Sequence, residues 1–160
     1  MKAPRLLGIS AIAGGLLRLA EPYLAAVLDP RGLLLAYTLI DITLMLGLVG
    51  FYLALRERLS RLGIGGIVLA VAGLTIIRVG GLTGFQLYQL GAAITLFGTA
   101  FLAADLLLRK VPSRFAAVLW LVALAVGLAA LLPQIAAPAA FAAGVAFVLA
   151  FIAEGAVILR

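Results

Sequence analysis

Six stretches of roughly twenty apolar residues, each closed by a short polar or turn-forming connector, fill this chain from residue 6 to residue 159. A bilayer hydrocarbon core about 30 Å thick needs about 20 consecutive apolar residues of helix. Segments 6–28, 33–55, 63–82, 86–108, 115–132 and 139–159 meet that length. Their separators are "DPRG", "RERLSR", "TG", "RKVPSR" and "PQIAAP", all of them turn or charge signals. Composition leads to the same class. Of the 160 residues 66% are hydrophobic and 11% charged, with a mean hydropathy of +1.31. Soluble domains carry about half apolar and about a quarter charged residues, so too little polar surface is available here to face water. The expected fold is all-α: a polytopic integral membrane protein, a compact bundle of six transmembrane helices forming a single domain over 1–160.

Lysine and arginine positions set the expected orientation. Lys2, Arg5, Arg56, Arg58, Arg61, Arg109, Lys110, Arg114 and Arg160 fall on one side of the six-span scheme, and only Arg31 lies in a loop on the other. The positive-inside rule then places both termini in the cytoplasm. The net charge of +6 is accounted for by this asymmetry, so no nucleic-acid partner is expected. Ten Arg against two Lys, with many Ala, Gly and Leu, suit a bacterial inner-membrane protein. The first span has a basic start followed by "LLGISAIAGGLL", as a signal peptide does. Cleavage after Ala20 would put Arg18 where a small residue is wanted, so the segment reads as a retained span.

The chain contains no Cys and no His. Disulfides, thiolate metal sites and His-ligated haem are thereby excluded, and no cofactor is expected. No H-E-x-x-H, P-loop or G-x-S-x-G motif occurs. No two acids lie within one helical turn, so acidic clusters that hold Mg²⁺ and diphosphate are missing too.

What remains for chemistry is the charge inside the spans. The stretch "RLAEPYL" sets Arg18, Glu21 and Pro22 within the first of them. At a rise of about 1.5 Å per residue, Arg18 is roughly 18 Å from the cytoplasmic boundary and Glu21 about 22 Å. Asp41 on the second span lies about 12 Å below the outer edge, and Arg78 on the third about 8 Å below it. Tyr37, Thr38, Gln86, Tyr88 and Gln89 share that layer. Each lone charge near a helix centre costs about 2.5–3.5 kcal/mol, so pairing is required. Glu21 with Arg78 and Arg18 with Asp41 is the first choice, and the exchanged pairing is nearly equivalent.

Arg18, Glu21, Asp41, Arg78, Tyr37, Gln86 and Gln89 are therefore the candidate ligand-binding residues. Arg18 and Glu21, three apart and so neighbours on one helix face, are continued by Ala11, Gly14 and Ala25 into a small-and-polar stripe suited to the bundle interior. Pro22 is expected to kink the helix and free the Arg18 carbonyl. The expected function is binding or moving a small or amphipathic ligand reached from the outer half of the bilayer. A packing subunit of a larger membrane complex is the alternative, and a lipid-modifying acid–base enzyme the third reading. Partners admitted by the composition are the lipid bilayer, a small or lipid-like ligand, and a second copy or a larger complex.

Other features have structural readings. Asp105 stands four before Arg109, a local ion-pair spacing. Glu154 is expected either to pair with a basic loop residue or to be protonated, and Trp120 to lie in the packing. "GGIVLAVAG" (65–73) and "GAAITLFGT" (91–99) are expected to support close helix packing. "LALRERLSRLG" and "LLLRKVPSRFA" align as a faint internal repeat that matches Ser60 with Ser113.

Overall fold

A computed structural model describes residues 3–111 and 113–159. Lys2 and Arg160, counted above in the charge asymmetry, lie outside the described residues. Within them the chain is all-helical, with no strand: α1 (Ala3–Leu19), α2 (Glu21–Val27), α3 (Pro30–Leu55), α4 (Arg61–Thr83), α5 (Tyr88–Leu108), α6 (Arg114–Ala129) and α7 (Ala136–Leu159). Four of these, α3, α4, α5 and α7, are long and apolar enough to cross a membrane. That makes the chain a membrane protein of helical-bundle type.

The other two expected spans differ from the sequence reading. The first is not one helix but two, α1 of 17 residues and α2 of 7, joined at Ala20. Pro22 sits in the first turn of α2, where its missing N–H is harmless; further inside a helix it would remove a bond and clash. The kink is thus a break. No residue of α2 is buried, and Ala25 is exposed rather than continuing the interior face. The fifth segment forms only the 16-residue α6, roughly 24 Å long. Its chain continues through successive turns over 130–135.

The connectors act as helix punctuation. Asp29 caps α3 by accepting from Gly32 N at 2.8 Å, with Pro30 following at the first helical position. Ser60 caps α4 through Leu62 N at 3.0 Å. Gly84 ends α4 at φ +78°, a left-handed conformation that glycine adopts without strain.

The helices close into a ring in the order α1, α3, α4, α5, α6, α7 and back to α1. Its tightest joint is α4 against α5, and glycines make it. An added Cβ on Gly66 would meet the Gly98 carbonyl oxygen at 2.6 Å, and one on Gly91 the Gly73 carbonyl oxygen at 2.7 Å. The two small-residue motifs therefore face one another, backbone against backbone. On α1, Ala11 and Gly14 take the neighbouring backbone and side chains of Gly47, Thr43 and Leu44 on α3. The loosest joint is α3 against α4.

The ring is filled at the end that carries the arginine-rich links. Trp120, fully buried, lies edge-on between Phe51 (6.2 Å) and Phe151 (5.6 Å), with Leu48, Leu102 and Leu106 around them. Edge-to-face contacts of this kind add about 0.5–1.5 kcal/mol each beyond area burial. This aromatic plug puts Trp120 in the packing.

Candidate functional site

At the opposite end from the plug, four charges from α1, α2, α3 and α4 gather. Arg18 closes α1 and Glu21 opens α2, and their side chains pair across the break, Nη1 to Oε2 at 2.8 Å. Arg78 on α4 pairs with Asp41 on α3: Nε and Nη2 donate to Oδ2 at 2.9 and 2.5 Å, and Nη1 donates to Thr38 Oγ1 at 3.2 Å. The pairing is thus the exchanged one, not Glu21 with Arg78 and Arg18 with Asp41. Arg18 and Glu21 are three residues apart, a spacing that brings side chains together locally. Asp41 and Arg78, on unbroken helices at matching depth, then meet directly.

The two pairs are neighbours but differ in setting. Asp41 is within electrostatic reach of Arg18 and Glu21 as well as Arg78. Tyr37 on α3 is within reach of Glu21, Arg18 and Tyr88, and Arg18 Nη2 donates to Tyr88 Oη at 3.2 Å. The side chains of Arg78 and Asp41 are 15% and 10% exposed, those of Arg18 and Glu21 26% and 28%. The first pair is a nearly dry clamp across the loosest joint of the ring. The second is partly open, where α2 contributes no burial. Buried pairs balance desolvation against attraction and mainly fix geometry, whereas a half-open pair can exchange partners with a ligand.

Gln86 and Gln89 do not join the cluster. Gln86 belongs to the turn before α5, which starts at Tyr88, and it is exposed. Gln89 is also exposed, turned about 100° round the helix from Tyr88. Tyr88 is the member of that trio whose hydroxyl reaches Arg18. Two clefts, of about 570 and 340 Å³, lie elsewhere: one by residues 53–58 with Val157 and Ile158, the other between α3 and α4. Neither is lined by Arg18, Glu21, Asp41 or Arg78. Among the described residues, no group of three Asp or Glu side chains is placed to hold a metal ion.

A second set of polar contacts, at the plugged end, is harder to foresee. Asp105 makes the local pair with Arg109 (Nε to Oδ1, 3.1 Å), and its carboxylate also accepts from Ser60 N at 2.8 Å and Ser60 Oγ at 2.6 Å. The start of α4 is thereby fastened to the end of α5. Ser113, at the start of α6, donates to Glu154 Oε1 near the end of α7 at 3.2 Å. The two serines are those matched in the faint repeat, and each bonds an acid on the helix that returns beside its own. The α4–α5 and α6–α7 hairpins thus each carry a serine–carboxylate contact, whereas the aligned segments themselves are the α3–α4 and α5–α6 links.

The latches are not equivalent. Asp105 is fully engaged, while Glu154 is 2% exposed and its Oε2 has no hydrogen-bond partner. No basic side chain pairs with it among the described residues. A lone buried carboxylate is costly. Glu154→Gln keeps an acceptor for Ser113 without the charge, so the variant should melt at or above the wild-type temperature at pH 7.5. A lower melting temperature would mean that the carboxyl group itself is needed at this position.

Comparison with protein-family models, with curated proteins and with solved structures finds no match for this chain. Its site is therefore read from its own geometry.

Proposed function

We propose that this protein is a six-crossing bacterial inner-membrane protein with both termini in the cytoplasm, formed as one domain, which binds or moves a small or amphipathic ligand reached from the outer half of the bilayer. The nine-to-one distribution of Lys and Arg between the two sides supports the orientation. In this reading α1 with α2 makes the first crossing, and α6 with its trailing turns the fifth.

One observation carries the functional reading. The Arg18–Glu21 pair is a quarter exposed at the α1–α2 break and flanked by the phenols of Tyr37 and Tyr88. An arginine beside a carboxylate offers both signs at once, and tyrosine faces add attraction for a cation. A ligand with its own opposite charges replaces the internal pair without leaving either side chain unpaired. Intramembrane ionisable residues often line ligand or ion paths for this reason. Asp41, Arg78 and Thr38 are the rigid floor behind that pair.

The test is thermal stability of the detergent-purified protein against a panel of zwitterions, such as glycine betaine and glycerophosphocholine. At least one is expected to raise the melting temperature of wild type and of Arg31→Gln, and not of Arg18→Gln. A ligand shift that survives intact in Arg18→Gln would overturn the assignment.

The reading as a packing subunit has its own support, the Asp41–Arg78 clamp at the loosest joint. It requires that the protein be lost from membranes when expressed alone. A stable, monodisperse preparation of the single chain favours the ligand site.

A further inference from the structure

The joint between α3 and α4 is the loosest in the ring. At one end Arg78 draws the helices together through Asp41 and Thr38. Along its length α4 is held more closely to α5, by the glycine contacts and, at its start, by Asp105. Between the two helices lies the groove of about 340 Å³, walled by Val49 and Tyr52 on α3 and by Ile64, Ile67, Val68 and Val71 on α4. It faces outward from the ring, where Val49 is 41% and Val68 64% exposed.

Beyond the lining residues each helix carries an arginine, and Arg56 also borders the larger cleft beside Val157 and Ile158. Arg56 follows Val49 by seven residues and Tyr52 by four; Arg61 precedes Ile64 by three and Val68 by seven. These spacings put each arginine on the stripe of its helix that forms the wall. Arg56 keeps helical backbone angles as the cap of α3, so the stripe continues through it. Both arginines are exposed, and neither forms an ion pair among the described residues. Arg58 in the same link is also exposed, and Glu57 is the link's one acid.

We propose that this groove binds an anionic phospholipid, with one acyl chain between α3 and α4 and the phosphate held by Arg56 and Arg61. The proposal rests on the membrane-spanning reading but not on the ligand assigned to Arg18 and Glu21. Inside a bilayer an outward apolar groove is filled by an acyl chain. The paired arginines add selection for a negative headgroup, as basic sites at helix ends do. Tyr52, one turn short of Arg56, stands where an interfacial tyrosine meets the headgroup edge.

Native mass spectrometry of the detergent-released protein tests this, with phosphatidylglycerol and phosphatidylcholine of identical chains as probes. Wild type and Arg31→Gln should retain phosphatidylglycerol in preference to phosphatidylcholine. Each of Arg56→Gln and Arg61→Gln should weaken its retention about fivefold. Val68→Phe, at an exposed position, should lower retention of both lipids by filling the groove. Circular dichroism confirms that each variant is folded. Equal retention of the two lipids by wild type, or an unchanged preference in a folded Arg56→Gln/Arg61→Gln double variant, overturns the site. Competition by glycerol 3-phosphate alone would also overturn it, because the groove would then contribute nothing. Arg18→Gln is expected to leave lipid retention unchanged, which separates this outcome from that of the zwitterion test.

Discussion

Gly98→Leu is expected to abolish the folded protein: no monodisperse species after detergent extraction, and rapid loss from membranes. The reason is the spacing of α4 and α5. A Cβ at position 98 would meet the Ala70 backbone nitrogen, the Ala70 Cα at 2.8 Å and the Gly66 carbonyl oxygen at 2.7 Å. Backbone cannot rotate aside as a long side chain can, so the helices must separate. Overpacking by a few methylenes costs about 1–3 kcal/mol where side chains can adjust. Here the whole joint loses contact, and with it the closest packing in the ring. Small residues at such joints replace the hydrophobic drive that is missing between helices in lipid. Gly65 provides the control: nothing lies within 4 Å of its Cβ position, so Gly65→Leu should remain folded. A well-folded Gly98→Leu protein would show that α4 and α5 do not meet through their backbones.

The second large effect concerns Arg78. Arg78→Ala leaves the Asp41 carboxylate without its guanidinium at a position only 7% exposed. Removing one partner of a buried pair costs about 3–5 kcal/mol, because the remaining charge is uncompensated. Thr38 Oγ1 loses its donor as well. The melting temperature should fall sharply, with α3 and α4 separating first at the clamped end. The double variant Arg78→Met/Asp41→Leu should recover most of that loss, since replacing both members with apolar groups of similar size is often neutral or stabilising. If Arg78→Ala melts within a degree or two of wild type, Arg78 is not a clamp and its charge finds water independently. Arg18→Ala has a weaker expected effect on stability, since its pair is more exposed and local.

These contrasts show what the sequence could express and what it could not. Apolar length is a one-dimensional property, and every one of the six apolar stretches contains helix, though the first is broken at Ala20 and the fifth is helical only as far as Ala129. The break at Ala20 is a local backbone event; Pro22 announces a disturbance but not whether the helix bends or restarts. Glu21 stays with Arg18 at the local three-residue spacing, and the cross-helix pairing favoured on depth alone gives way. Depth is nonetheless informative for Asp41 and Arg78, which lie on the unbroken helices α3 and α4 and meet across them. Gln86 and Gln89 lie at the right depth, but whether they sit in a turn or on which face of α5 depends on where that helix starts. The latches from Ser60 to Asp105 and from Ser113 to Glu154 join residues 45 and 41 positions apart. Contacts at that range leave no periodic trace. The alignment of the two serines marks the loops rather than the acids they bind.

Because the chain has no cysteine, single-cysteine variants can be read without background. Labelling of Tyr37→Cys and Glu57→Cys by a membrane-impermeant maleimide, applied to one face of the membrane at a time, tests the central claim most directly. Tyr37→Cys should react from the outer face in the folded protein, and Glu57→Cys only from the cytoplasmic face. If both react from the same face, or if Tyr37→Cys reacts only after denaturation, the charged layer is not an outward-facing site within a membrane bundle.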